Sequence, residues 1–183
     1  MKSIYTFTGI CLVAILVSSC SSSKTYFTPA VRARIEHAGV NVEKLQFYID
    51  HDVKLVREVS QEEAKLSKGK VTVVNGKLVN IINLSKNTAG VCKTALHEKV
   101  LVSFEDGENR YLTFGRTKYG ADTDPYKILA FNWINGNEGI IDYEGQKYHI
   151  KSGGDAAVKI KTKFVRKADR VKERDMKGQK VAS

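Results

Sequence analysis

Apolar and polar residues form short runs along most of the chain from Leu45 onward. The runs are rich in Val, Ile, Tyr and Phe, and Gly, Asn and Asp interrupt them at short intervals. This pattern is typical of β-strands, and no long helix alternates with the runs as a parallel βαβ sheet requires. It predicts a mainly β fold of about ten antiparallel strands, arranged as a closed barrel or as a two-layer sandwich that hides the strand edges.

Three turns are marked in this pattern, each between two apolar runs. They are Asn75-Gly76, Asp106-Gly107 and Glu144-Gly145. Asn-Gly and Asp-Gly are favoured in two-residue hairpins whose turn residues both need a positive φ. We therefore predict three hairpins, the first two on the stronger signal.

One short N-terminal helix precedes the strands. Thr28 suits the N-cap, Pro29 the first helical position and Gly39 the position after the last turn. Val31 and Ile35 would share one face, so the helix is expected to lie against the domain.

The first residues of the chain predict a targeting signal. Lys2 supplies a positive charge and Ile10 to Val17 form an apolar run of eight residues. Such a run is too short to span a bilayer but suits the core of a cleaved signal peptide. The run ends in Val17-Ser18-Ser19-Cys20, which resembles the lipobox of bacterial lipoproteins. The resemblance implies that the signal is cut before Cys20 and that its thiol is acylated.

This organisation divides the chain into four parts. We predict a signal peptide over residues 1–19, a lipidated tether over 20–27, one β-rich domain over 28–165 and a basic C-terminal segment over 166–183.

The residues after the lipobox bear on location. Ser21 stands where an Asp marks inner-membrane retention in enterobacterial lipoproteins, and residues 21–24 lack the acidic residues that resemble a surface-export signal in Bacteroidota. The resemblance implies an anchor in the outer membrane and a periplasm-facing domain. Residues 28–50 also resemble small lipoproteins of Bacteroidota, a likeness that brings no assigned activity.

Positive charge is concentrated near the C-terminus. The formal net charge is +10, and residues 159–180 hold ten Lys or Arg against three acidic residues. From Val158 to Phe164 apolar and Lys positions alternate, which predicts a strand over 157–165 with one cationic face. The basic segment is either a solvated, solubilising terminus or a patch for a membrane or another anionic partner, whereas nucleic acid is disfavoured because no groove-reading motif accompanies the charge. The predicted binding residues are Lys159, Lys161, Lys163, Arg166 and Lys167.

Familiar catalytic patterns are absent from the sequence: it has no nucleotide loop, paired CxxC, HExxH, GxSxG or EF-hand motif. Cys92 would be the one thiol left after processing and acylation, and its apolar surroundings predict burial. An enzyme hypothesis would place its site around Cys92, His97 and His149. No cofactor or metal is predicted, and Asp122 and Asp124 are expected to form a solvated turn rather than a calcium site.

Most aromatic residues of the second half are expected in the core. Tyr119 and Trp133 are the expected exceptions because each adjoins a polar, Gly-containing loop, and together they define a carbohydrate-binding hypothesis. The leading hypothesis is a non-catalytic outer-membrane lipoprotein whose β-domain binds an envelope partner, either a protein assembly or an anionic surface polymer.

Overall fold

The computed structural model describes residues 23–66 and 71–170, which form a mainly β fold with three short helices. Every strand pairing in this part of the chain is antiparallel, as predicted. The helices are α1 Pro29–His37, α2 Gln61–Leu66 and α3 Thr162–Ala168, with a 3₁₀ turn at Val42–Lys44. The strands are β1 Lys24–Tyr26, β2 Gln46–Ile49, β3 Val53–Glu58, β4 Val71–Val74, β5 Lys77–Leu84, β6 Ala89–Ala95, β7 Lys99–Ser103, β8 Leu112–Gly115, β9 Lys127–Ile128, β10 Asn132–Trp133, β11 Gly139–Tyr143, β12 Gln146–Ser152 and β13 Val158–Lys161.

The strands belong to two separate sheets. The first sheet has the order β1-β13-β2-β6-β7-β8-β9, and the second has the order β10-β11-β12-β3-β5-β4. Each of these sheets ends in two edge strands, so the closed barrel, one of the two predicted arrangements, is wrong. Within the described residues the chain crosses between the sheets four times, from β2 to β3, from β5 to β6, from β9 to β10 and from β12 to β13.

A single core lies under both sheets. Inward side chains of the first sheet, such as Phe47, and of the second, such as Tyr148, belong to one buried cluster. The ring of Phe27 stands edge-on to Phe47 and to Tyr126, with both centroids at 5.1 Å. Edge-on rings pack favourably beyond the apolar area that they bury. This shared core is compatible with a sandwich-like fold.

All three predicted hairpins are present, and two have the predicted turn. Asn75 and Gly76 have φ values of 51° and 76°, and Glu144 and Gly145 have values of 48° and 75°. The hairpin of β7 and β8 instead has a loop over residues 104–111, so the two-residue turn predicted there is wrong. The Arg110 guanidinium donates to the Asp106 carbonyl across this loop at 3.1 Å, and such side-chain contacts stabilise a longer connection.

Helix α1 begins as predicted. The Thr28 Oγ1 accepts from the Val31 N–H at 3.1 Å, Pro29 opens the helix, and Gly39 has a φ of 70° beyond its end. Ile35 is fully buried. The predicted packing of this helix against the domain is therefore confirmed.

The chain departs from the predictions at both ends of the domain. Strand β1 occupies residues that were assigned to the tether, and it pairs with β13. The strand predicted over 157–165 ends at Lys161, which pairs with Lys24, the first residue of β1. Beyond this pair, one backbone hydrogen bond joins the Thr162 N–H to the Ser23 carbonyl. Helix α3 follows because Val165 and Ala168, three residues apart, bury one helical face.

Two further differences lie between these ends. The pattern of apolar residues over 126–134 predicts one strand, but the structure divides it between β9 of the first sheet and β10 of the second. Helix α2 has no counterpart among the predictions. No helix in the described ranges combines the length and apolar character needed to cross a membrane. The signal segment, Cys20 and residues 171–183 lie outside the described residues.

Candidate functional site

The outward side of the first sheet carries a row of lysines and tyrosines at its N-terminal edge. Antiparallel partners point to the same side of a sheet, and the register pairs Lys24 with Lys161, Tyr26 with Lys159, and Lys159 with Tyr48. The intervening residues of β13 and β2, Ile160 and Phe47, are buried in the core. We call Lys24, Tyr26, Tyr48, Lys159 and Lys161 the cationic face.

Ammonium groups lie over aromatic rings on this cationic face. The Lys24 Nζ is 4.0 Å from the centroid of the Tyr48 ring, and the Lys159 Nζ is 4.4 Å from that of Tyr26. These are cation–π contacts, which attract a cation without neutralising it. The lysines are thereby held at the surface with their charges still available to an anion.

Acidic residues are missing from the strands of the first sheet. Its seven strands contain six lysines and no Asp or Glu. None of these six lysines forms an ion pair with a described residue. Lys24 and Lys161 stand directly opposite each other, and like charges in that arrangement destabilise a sheet. An anion bound between them would relieve this repulsion.

The structure separates the predicted binding residues into two groups. Lys159 and Lys161 share the cationic face, whereas Lys163, Arg166 and Lys167 lie on α3, exposed to solvent. The expectation that Lys163 continues the strand is therefore wrong, because β13 ends at Lys161 and α3 begins at Thr162.

Sequence reasoning missed three members of the cationic face, namely Lys24, Tyr26 and Tyr48. Alternation of Lys and Tyr across Thr25 is a signal for β1, but a strand of three residues is too short to stand out. Tyr48 joins the face only through the register of β2 with β13.

A second surface lies on the outward side of the second sheet. It is a groove of about 780 Å³, within the usual range of ligand sites. Aliphatic side chains form its floor, Val74 of the β4–β5 hairpin forms one wall, and basic residues of β3 and β12 form the opposite rim. The floor residues are Val56, Val79 and Ile81, and the rim residues are Lys54, Lys147, His149 and Lys151. We refer to this surface as the amphipathic groove.

Charges around the amphipathic groove are only partly balanced. The Lys77 Nζ lies 2.6 Å from the Glu58 carboxylate, and the Lys151 Nζ lies 3.8 Å from that of Glu138. Lys54 and Lys147 form no ion pair with any described residue. Sequence reasoning missed this groove because its walls come from strands that only the sheet register brings together.

The residues of the enzyme hypothesis lie on different surfaces. Cys92 faces the core and is 8% exposed, and burial raises the pKa of its thiol to about 11, with the nearby charge of Glu43 acting in the same direction. His97 lies exposed in the turn between β6 and β7, and His149 lies on the outward side of the second sheet. The predicted burial of Cys92 is confirmed, and a thiol with this pKa stays protonated and weakly nucleophilic near neutral pH.

The carboxylates of Asp122 and Asp124 serve the loop that contains them. The Asp124 Oδ2 accepts from the Ala121 N–H at 2.8 Å, and the Asp122 Oδ1 pairs with Arg116 at 2.9 Å. Within residues 23–66 and 71–170, no group of three or more His, Cys, Asp or Glu is placed to hold a metal ion.

Tyr119 and Trp133 lie outside the core, as predicted, with exposures of 90% and 40%. The ring of Tyr119 contacts the Lys118 ammonium, at 5.4 Å from the centroid. Trp133 belongs to β10 in the second sheet, beside the exposed Phe131 and Ile134. The described ring contacts therefore do not join Tyr119 and Trp133 into one stacking platform.

A polar cluster closes one end of the core. The hydroxyl of Tyr143 donates to Glu105 at 2.6 Å, and that of Tyr148 donates to Glu144 at 2.7 Å. Arg110 pairs with Glu144 at 3.1 Å. Burial, together with the Glu144 hydrogen bond, raises the pKa of Tyr148 to about 12. The cluster satisfies two buried phenols, which is a structural role.

The cationic face and the amphipathic groove are therefore the two candidate binding surfaces of this domain. Each carries lysines that form no ion pair with a described residue, and the two surfaces lie on different sheets. No protein-family model, curated protein or solved structure matches the chain.

Proposed function

We propose that this protein is a non-catalytic outer-membrane lipoprotein, anchored through Cys20 and facing the periplasm, whose cationic face lies on anionic headgroups. The main support is the short distance along the chain between Cys20 and the cationic face. Strand β1 begins at Lys24, four residues after Cys20, and four extended residues span at most about 14 Å. An acylated Cys20 would hold the cationic face next to the membrane surface.

The acyl chains and the lysines would have different roles. Each buried methylene of an acyl chain contributes about 0.8 kcal/mol, and two chains suffice for stable anchoring. Each cation near an anionic surface adds about 1 kcal/mol. The lysines therefore contribute little to membrane retention, and they set the orientation of the domain. Tyr26 and Tyr48 suit the same boundary because their rings are apolar and their hydroxyls are polar.

We also infer that the two sheets pack as a two-layer sandwich. Support comes from the single core cluster to which both sheets contribute inward side chains. In a sandwich the outward sides of the sheets point in opposite directions. With the cationic face on the membrane, the amphipathic groove of the second sheet would open away from it.

Lysine footprinting of the full lipidated protein tests this orientation. The protein is reconstituted in vesicles of phosphatidylcholine, with or without phosphatidylglycerol, and acetylated with a water-soluble reagent. We expect Lys24, Lys159 and Lys161 to be acetylated about fivefold more slowly on the anionic vesicles, because headgroup contacts bury their amines. Mass spectrometry of the peptides gives the rate for each lysine.

Lysines of the second sheet provide the internal control. Lys54 and Lys147 should react at the same rate on both kinds of vesicle. Equal protection of both sheets, or protection of neither, would contradict the proposed orientation. The anchor has its own test: Cys20→Ser should leave the signal attached, which the mass of the intact chain reveals.

A further inference from the structure

We infer that the amphipathic groove binds a single-chain anionic amphiphile, of which a long-chain fatty acid is the simplest member. The acyl chain would lie along the aliphatic floor, and the carboxylate would lie against the lysines of the rim. This inference rests on the groove alone and does not depend on the anchor or on the cationic face.

The floor of the groove is an apolar surface that the second sheet leaves uncovered. Val56 pairs with Ile81 across β3 and β5, so their side chains lie together on the outward side. Val79, opposite Glu58 on the same side of the sheet, is only 4% exposed and forms the deepest part of the floor. Val74, 44% exposed on the hairpin wall, extends this apolar surface. A hydrocarbon chain laid along it would remove the exposed parts of Val56, Ile81 and Val74 from water.

The rim supplies positive charge at one side of this floor. Lys54 comes from β3 and Lys147 from β12, two neighbouring strands of the second sheet. Neither ammonium group forms an ion pair with a described residue, whereas Lys151 and Lys77 each form one. Asp142 stands opposite Lys147 across β11 and β12, so Lys54 is the rim lysine with the least balanced charge. An anionic headgroup at this rim would balance lysine charge that no ion pair of the groove neutralises.

An aliphatic floor beside a basic rim favours a ligand that has both an apolar part and a negative charge. A polyanion would use the lysines and leave the aliphatic floor in contact with water. A sugar would need aromatic rings to stack on, but the floor is made of Val and Ile. An anionic amphiphile uses both parts, so the chemistry of the groove favours it over these alternatives.

Photocrosslinking of the full lipidated protein tests this inference. The protein is placed in phosphatidylcholine nanodiscs with a palmitate that carries a diazirine near its methyl end, irradiated, and mapped by peptide mass spectrometry. We expect crosslinks to concentrate in β3 and β5. Affinity should rise at least about tenfold between the eight-carbon and the sixteen-carbon acid, because each added methylene buries apolar area.

Matched variants show whether the rim lysines take part. Lys54→Gln with Lys147→Gln should lower groove labelling about fivefold, whereas Lys44→Gln with Lys86→Gln, two exposed lysines outside the groove, should leave it unchanged. Ile81→Glu places a charge on the floor and should abolish labelling. Cooperative thermal unfolding of each variant shows that the fold is retained.

Three results would overturn the inference. Crosslinks spread over the whole surface would remove the groove as the site. Protection of Lys54 and Lys147 by polyglutamate, but not by palmitate, would show that the occupant is an acidic polymer. Mutual crosslinks between two chains through the groove would show that a second copy fills it. None of these results bears on the footprint of the cationic face, so the two proposals can fail separately.

Discussion

The two sheets of this domain share one core but differ in what they present to solvent. Strands of the first sheet contain six lysines and no acidic residue, and its outward side places tyrosines beside the lysines. Strands of the second sheet contain Glu58 and Asp142 among their basic residues, and aliphatic side chains form the floor of its groove. The first surface suits a broad anionic boundary, and the second suits one small amphiphile.

The two sheets also differ in how charged residues on neighbouring strands are paired. Asp142 stands opposite Lys147 across β11 and β12 in the second sheet, whereas Lys24 stands opposite Lys161 in the first. Opposite charges at such positions stabilise a sheet and like charges destabilise it. The first sheet therefore retains an arrangement that costs stability, which is expected where a surface serves binding.

The largest expected effect is the difference in stability between a substitution on the inward side of the first sheet and one on its outward side. Phe47→Ala should destabilise the domain by about 3–5 kcal/mol, because it leaves a cavity in the core. Tyr48→Ala, one residue further on, should cost less than about 1 kcal/mol because its ring lies at the surface. Urea unfolding followed by circular dichroism measures both. Similar losses for the two variants would contradict the division into a core side and a binding side.

Some elements of the fold could be predicted from the sequence because local chemistry determines them. Thr28, Pro29 and Gly39 predicted α1 because capping is local chemistry, and Asn75-Gly76 predicted its hairpin because the turn requires positive φ values. The alternation of Val158, Ile160 and the lysines between them predicted a cationic strand. It also extended that strand too far, because only the tertiary structure shows that its partner β1 begins at Lys24, opposite Lys161.

The binding surfaces were less predictable than the elements that form them. Lys159 and Lys161 were found from their alternation, but Tyr48 joins them through a strand register that no local pattern encodes. The groove is assembled from β3, β5 and β12, which are separated along the chain and meet only in the sheet. Patterns with a period of two predict which side a residue faces, not which strand lies beside it.

An intermediate effect, that of salt, should distinguish the two surfaces. Raising NaCl from about 0.1 M to about 1 M shortens the Debye length from about 10 Å to about 3 Å. Protection of Lys159 and Lys161 on anionic vesicles should then fall about fivefold, because headgroup attraction is electrostatic. Labelling of the groove by photoreactive palmitate should fall less, by about twofold, since salt weakens the contact of the carboxylate with the rim lysines but leaves the burial of the acyl chain intact.

The two labelling measurements are made on the same reconstituted sample, which makes the comparison direct. Equal salt dependence would show that both surfaces bind through charge alone. In that case the aliphatic floor of the groove would have no part in binding.

The smallest expected effect has opposite signs on the two sheets. Lys161→Gln should raise stability by about 0.2–1 kcal/mol, because it removes the repulsion from Lys24, and Lys147→Gln should lower it by a similar amount, because it removes the attraction of Asp142. Thermal unfolding at low ionic strength measures both changes, and added salt should shrink them together. If Lys161→Gln destabilised the domain, Lys161 would stabilise the first sheet. Its presence on the cationic face would then be explained by stability, without a role in binding.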